Sequence, residues 1–258
     1  SSNVNGMGLS DTGDRDGKRG FSMPAFELQP AKYFGVFDDF MKVSSSQGNA
    51  ANEDAAQATS IDSDLWTVNI GGGSDAVAID STKVGGCIKV THGDTDADVV
   101  NLQALGAGFR LDNDNNPRQI WFECRLNTND ISGCGYFVGL ASNNGAEETT
   151  MIASLEDGVG FIVADGSTAT DIKAIGAVGN SETQTDTGED QADDTWTVLS
   201  FHYDGSLVHW YVNGILKVSN ALTLPSDDTI LFPSLEFIAQ GTDQDVTHVD
   251  YVRLCMER

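Results

Sequence analysis

From about residue 65 to the end, apolar and polar positions alternate in short stretches, the period of two that a half-buried strand requires. The pattern predicts strands over 65–70, 76–80, 86–91, 99–105, 109–111, 119–127, 135–141, 158–164, 171–178, 195–203, 207–212, 215–219, 234–239 and 246–256. No window of a dozen residues carries the three-and-four apolar spacing of a helical stripe. The architecture read from the pattern is all-β.

The best-specified piece is DDTWTVLSFHYDGSLVHWYVNGILKVS (193–219). Asp204-Gly205 and Asn213-Gly214 separate apolar runs, and Asn, Asp and Gly tolerate the positive φ of tight hairpins. Three strands joined by two such turns make an antiparallel meander. In the first, Thr197, Leu199, Phe201 and Tyr203 share one face, with Trp196, Val198, Ser200 and His202 on the other. One apolar and one mixed face suit a sheet packed on a second sheet, with a surface left to meet a partner.

Residues 1–35 break the pattern. They are glycine-rich and without period, with isolated anchors at Phe21, Met23, Phe26, Tyr33 and Phe34. We read 1–35 as an extended arm and 36–258 as the folded body. Such an arm cannot bury enough surface to fold alone and needs something to lie on. Two further polar stretches, 44–64 and GNSETQTDTGEDQADDT (179–195), read as surface segments. The first is a loop or short irregular helix. The second, the longest acidic stretch of the body, is a solvated loop with contact or cation-binding roles open.

Charge narrows the functions. Against 39 Asp and Glu stand 14 Lys and Arg, a formal net charge of −25. A surface this negative repels phosphate backbones and anionic lipid, so neither nucleic acid nor a membrane is expected as partner. No apolar run approaches the roughly 20 residues of a membrane helix, and the N-terminus lacks the layout of a secretory leader. The deficit of cations is uneven. Through Lys42 there are five (Arg15, Lys18, Arg19, Lys32, Lys42) against six carboxylates, leaving nine against 33 elsewhere. Cys87, Cys124, Cys134 and Cys255 are too scattered for a zinc site. Cys124 alternates with Ile120, Phe122 and Leu126, which reads as a buried thiol in a chain made in a reducing compartment.

The order of features resembles the concanavalin A-like lectin/glucanase jelly roll, and within it the laminin-G-like modules. FDDF (37–40) is followed by LWTV (65–68) and GGCIKVTHG (85–93). FECRL (122–126) and FVGLA (137–141) precede DGVGFIVADG (157–166). WTVLSFHYDGSLVHWYVNG (196–214) looks like the family's central meander, and VDYVRL (249–254) like its closing strand. The resemblance spans about 36–256 and implies a two-sheet antiparallel jelly-roll sandwich. The acidic layout with a terminal VDYV strand further resembles jelly-roll structural proteins of tailed bacteriophages.

Glucanases of this fold carry carboxylates in a Glu-x-Asp-x-x-Glu strand, because one must attack or orient while another holds a proton. That pattern is absent, and the paired acids here (Asp38-Asp39, Glu147-Glu148, Glu189-Asp190, Asp193-Asp194, Asp227-Asp228) fall at loops and strand ends. There is no Gly-x-Ser-x-Gly elbow, and Gly71-Gly72-Gly73 lacks the Lys-Ser/Thr of a phosphate cradle. In LDNDNNPRQIWFE (111–123), Asp112 and Asp114 have the alternate spacing of a calcium loop, but Pro117 stands where an EF-hand needs glycine. A looser calcium site on Asp112 and Asp114 remains open beside plain turn formation. No other cofactor is expected, and the chain reads as non-enzymatic.

Two functions follow. The first, implied by the phage resemblance, is a virion structural protein made in the host cytoplasm, decorating or cementing the outer capsid surface. The arm would contact the capsid lattice or other copies through Phe21, Met23, Phe26, Tyr33 and Phe34, with Arg15, Lys18 and Arg19 pairing with an acidic neighbour. The second is a glycan-binding, possible calcium-assisted module using Trp196, His202, His209 and Trp210, since sugar recognition wants exposed aromatics beside convergent polar groups.

Overall fold

The computed structural model describes residues 21, 23–24, 31–40, 66–70, 75–80, 82–83, 86–93, 95, 97–104, 106–111, 118–142, 151–152, 155–164, 170–220, 223–226, 228–240 and 245–258. Among these the strands are β1 (Tyr33–Asp38), β2 (Thr67–Ile70), β3 (Ala76–Ile79), β4 (Ile88–Thr91), β5 (Val99–Gln103), β6 (Ile120–Thr128), β7 (Cys134–Ala141) and β8 (Gly158–Val163). They continue as β9 (Asp171–Val178), β10 (Ser181–Asp190), β11 (Thr197–Tyr203), β12 (Val208–Val212), β13 (Ile215–Asn220), β14 (Phe232–Ala239) and β15 (Val246–Glu257). A 3-10 turn at Ile131–Gly133 is capped by Asp130, whose side chain accepts the Ser132 amide.

Two antiparallel sheets form. The first runs β13-β12-β11-β6-β15-β4-β3, with β1 also added to β15; the second runs β10-β9-β8-β7-β14-β5-β2. The inner faces supply one core: Phe122, Leu199, Phe201, Val252 and Leu254 from the first sheet meet Leu102, Val138, Leu140, Phe161, Leu235 and Phe237 from the second. Alternation puts every second residue into this layer, and burial of each such side chain contributes about 1.5–3 kcal/mol. Trp210 crosses the layer and donates its indole N–H to the Gly160 carbonyl at 3.2 Å, tying sheet to sheet. The meander turns behave as the dipeptides require, with Asn213 at φ 51° and Gly214 at φ 76°. Asp204 accepts the Ser206 and Leu207 amides at 2.9 and 2.8 Å.

Two polar or irregular stretches differ from the sequence reading. The acidic segment taken for a solvated loop is strand for most of its length: β10 pairs with β9, with a register shift between Asp186 and Asp190. It is an edge strand, exposed on most of its residues, so it needs no apolar period. At the N-terminus, β1 begins at Tyr33, so Tyr33 and Phe34 belong to the sandwich rather than to an arm ending at 35. Asp38 explains the fixture: it caps Phe40 and accepts the Trp66 indole N–H at 2.7 Å. Residues 109–111 contribute one isolated bridge, Phe109 to Leu231. All four cysteines are buried free thiols, as the alternation around Cys124 suggests. The stretch 44–64 lies outside the described residues.

Candidate functional site

The outer face of the eight-stranded sheet gathers the side chains with chemistry. Pairing register sets Trp121 of β6 opposite His202 of β11, and His202 opposite His209 of β12. The Trp121 and His202 rings stack at 4.8 Å and 9°, and the two imidazoles lie 5.9 Å apart. His209 is held on both sides. Its Nε2 meets Asp204 Oδ2 at 3.0 Å, and Nδ1 meets the Ser219 hydroxyl at 2.8 Å. A carboxylate only accepts, so Nε2 carries a proton toward Asp204. His202 Nε2 likewise faces Gln119 Oε1 at 3.0 Å. Burial, then the neighbouring His209, pushes His202 down to about 4 against the opposing pull of Asp204, so it is neutral at pH 7.

One register row away, Glu123 accepts from Ser200 and Tyr251 at 3.2 and 2.9 Å. Burial and the Glu123 charge raise the Tyr251 phenol, which therefore stays a donor. Arg125 stacks over Trp196 at 4.4 Å and pairs with Asp250. The described N-terminal residues cross this face. Phe21 packs edge-on against Tyr211 at 5.2 Å, and its amide donates to the Gly214 carbonyl at 3.3 Å. Met23 joins the cluster of Tyr33, Trp121 and Cys255, and Arg253 donates to the Pro24 carbonyl at 3.4 Å.

Of the arm anchors, Phe21, Met23 and Tyr33 thus make contacts within the chain, where the sequence reading had them buried against a neighbour. Phe34 differs. It touches Phe109 at 5.5 Å yet stays 37% exposed, and Phe37 on the other side of the same strand is 51% exposed beside Tyr251. Arg15, Lys18, Arg19 and Phe26 lie outside the described residues, as do Asp112 and Asp114 of the calcium candidate.

Of the glycan candidates, His202 and His209 come together, and Trp196 sits half-buried under Arg125. Trp210 is a correction: it is wholly buried in the core, because its neighbours on β12 alternate and its own position faces inward. Sequence reasoning missed Trp121, Asp204, Ser219 and Gln119, which join the site only through cross-strand register. Among the described residues, no group of three or more His, Cys, Asp or Glu could hold a metal ion.

No family model and no curated protein matches this chain. Solved structures do. A protein of unknown function from Shewanella oneidensis MR-1 aligns with a TM-score of 0.57 at 12% identity, over 92% of this chain and 95% of its own. SCLam, a non-specific endo-β-1,3(4)-glucanase of family GH16, aligns at 0.54 and 14%, over 93% and 95%. The potassium-bound carbohydrate recognition domain of Emp46p aligns at 0.52 and 11%, over 74% and 88%. At these identities the likeness is one of fold: the chain is a concanavalin A-like jelly-roll sandwich whose structural neighbours include lectin-type domains and glucanases.

Proposed function

We propose that the chain is a non-enzymatic structural module of a virus particle, seated on the outer capsid lattice or on other copies of itself through β1. One observation carries this reading. β1 is joined to the described sheet only along β15, and it holds Phe34 and Phe37 exposed on its two sides. Large exposed aromatics beside a sheet edge invite a neighbouring chain, by side-chain contact and by strand addition. The N-terminal residues then have two jobs: Phe21, Met23 and Tyr33 fix the strand to its own body, and Phe34 and Phe37 face outward.

The test is occupancy of purified particles, read by mass spectrometry. The wild-type chain is expected on them, and a Phe34→Ser/Phe37→Ser variant with unchanged circular dichroism is expected to fall at least tenfold. Equal occupancy of the two, or particles lacking the chain, overturns the reading.

A second reading, glycan binding, is favoured by the part-exposed imidazoles of His202 and His209, backed by the buried Trp121 ring and flanked by Gln119, Asp204 and Ser219, a mixture of ring and polar edge of the kind sugars require. The printed description of Emp46p as a carbohydrate recognition domain supports it by fold. On a glycan array run with and without calcium, His202→Ala/His209→Ala is expected to lose saturable binding. Absence of wild-type binding in both conditions removes the reading.

A further inference from the structure

At the β13 end of the eight-stranded sheet, three side chains of the meander stand in one hydrogen-bonded row. Asp204, in the turn after β11, accepts the Ser206 and Leu207 amides on Oδ1 at 2.9 and 2.8 Å. Its other oxygen, Oδ2, is thereby aimed at His209 Nε2, 3.0 Å away. His209 Nδ1 in turn lies 2.8 Å from the hydroxyl of its register partner Ser219. Ser219 is exposed on the last strand of the described sheet, while the His209 side chain is only 19% exposed.

The ladder is broken in the one way that completes this row. Counted from the Val212–Ile215 pair at the hairpin turn, an unbroken register would set Val218 opposite His209. The shift between Trp210 and Tyr211 puts Ser219 there instead and leaves Val218 buried opposite Trp210. A bulge that re-aims one side chain in this manner delivers a hydroxyl to the imidazole.

We propose that Ser219 is a nucleophile, with His209 as its base and Asp204 as the group that orients the base, and that it takes up an acyl group from a carboxylic ester.

With a proton on Nε2 directed at Asp204, the neutral imidazole presents Nδ1 as an acceptor to the Ser219 hydroxyl. Either ring nitrogen serves as base when the other holds the proton, so the order nucleophile, base, carboxylate is what matters. Ser219 Oγ attacks the ester carbonyl carbon as its proton passes to Nδ1. The ester C–O bond then breaks, and the alcohol leaves with that proton. Nothing is oxidised or reduced, and the acyl group stays on Oγ. A strand edge open to solvent admits a donor of any size, and an ester needs less help to break than an amide. The step modifies the chain once and does not turn over, so it stands beside either reading above and needs neither.

A row with a structural role alone would leave Ser219 no more reactive than another exposed serine. Acetylation by p-nitrophenyl acetate, located by peptide mass spectrometry, separates the two cases, with exposed Ser206 of the same chain as reference. Ser219 is expected to react about 100-fold faster than Ser206, the scale of general-base assistance. In His209→Gln, with circular dichroism unchanged, the ratio should fall to about one. Equal rates in the wild type overturn the proposal, as does a ratio that His209→Gln leaves intact. Should that variant fail to fold, the wild-type ratio decides.

Discussion

Two histidines, His92 buried and His202 half-buried, show how far a residue's neighbours override its type. His92 is 1% exposed, with Nε2 on the Thr247 hydroxyl at 3.0 Å and its ring edge-on to Phe237. Burial alone pushes it down to about 4. The unfolded chain binds the proton near 6.5, so between 6.5 and 4 it holds more protons than the native state. Native stability is therefore whole above 6.5 and is lost as pH falls through the window, by about 3 kcal/mol at its foot. His202 acts with the same sign. Glu236 of β14, pushed up to about 7 by burial, acts oppositely, so the His92 effect is isolated by comparison with His92→Gln. Urea titrations at pH 7 and pH 4 should show the wild type losing about 3 kcal/mol more than the variant; an equal loss refutes the assignment. Trp210 answers to its neighbours too. Replacing it by Phe removes the indole N–H that reaches the Gly160 carbonyl and leaves a void where the larger ring stood, an expected cost of about 1–3 kcal/mol read from the same titration. Residue type alone marked His202 and His209 for the site. Trp121 and Ser219 were hidden because their place beside the imidazoles depends on which strand pairs with which.

At the scale of elements, strands that bury one face were legible, since their alternation is the imprint of the core. The meander came through almost to the residue, because its turn dipeptides fix the register as well as the position. The failures were the strands without that imprint. β10 is polar on both sides and held by backbone pairing to β9, so composition made it look like a loop. β1 is joined to β15 at the edge and anchored by Asp38 on Trp66, a contact 28 positions away that no local pattern announces. Two predictions follow from these elements. Removing residues 1–20 should leave the melting temperature within about 2 °C, since β1 and its anchors remain. Removing 1–40 strips Tyr33, Val36 and Phe40 from the core and its margin, and should cost about 5 kcal/mol in a denaturant titration. An equal cost for both truncations would count against the anchoring role of β1. Inside the second sheet, β7 and β8 meet at a glycine pair. A Cβ on Gly139 would lie 2.3 Å from the Val159 carbonyl, and one on Gly160 would lie 2.4 Å from that of Val138. Gly139→Ala should therefore destabilise by about 2–4 kcal/mol, because backbone rather than a yielding side chain blocks it. A neutral result would mean the two strands can part at little cost.

For the whole molecule, the governing quantity is the net charge of −25, of which −24 falls on the body beyond Lys42 with its 33 carboxylates and nine cations. Described ion pairs use few of those acids: Lys32 with Glu257, Arg125 with Asp250, and Lys217 with Glu189, the last clasping β13 to β10 where the two sheets' edges meet. Added salt pulls in two directions. It weakens exposed pairs, each worth about 0–1 kcal/mol, and it screens repulsion among the remaining carboxylates. At 0.01 M salt the screening length is about 30 Å, comparable with the molecule, so most acids feel one another; at 0.5 M it is only a few ångströms. Repulsion sums over many pairs and the attractions over few, so screening should win. Calorimetry is expected to show the melting temperature rising by about 3–6 °C between 0.01 and 0.5 M NaCl. Magnesium or calcium chloride at equal ionic strength should match that rise if the effect is screening alone. A fall with salt would show that the few clasps outweigh the field, and Lys217→Met would then be the variant expected to flatten it. An extra rise with calcium that Asp112→Asn/Asp114→Asn removes would instead locate a cation on the one stretch whose acid spacing suggested it.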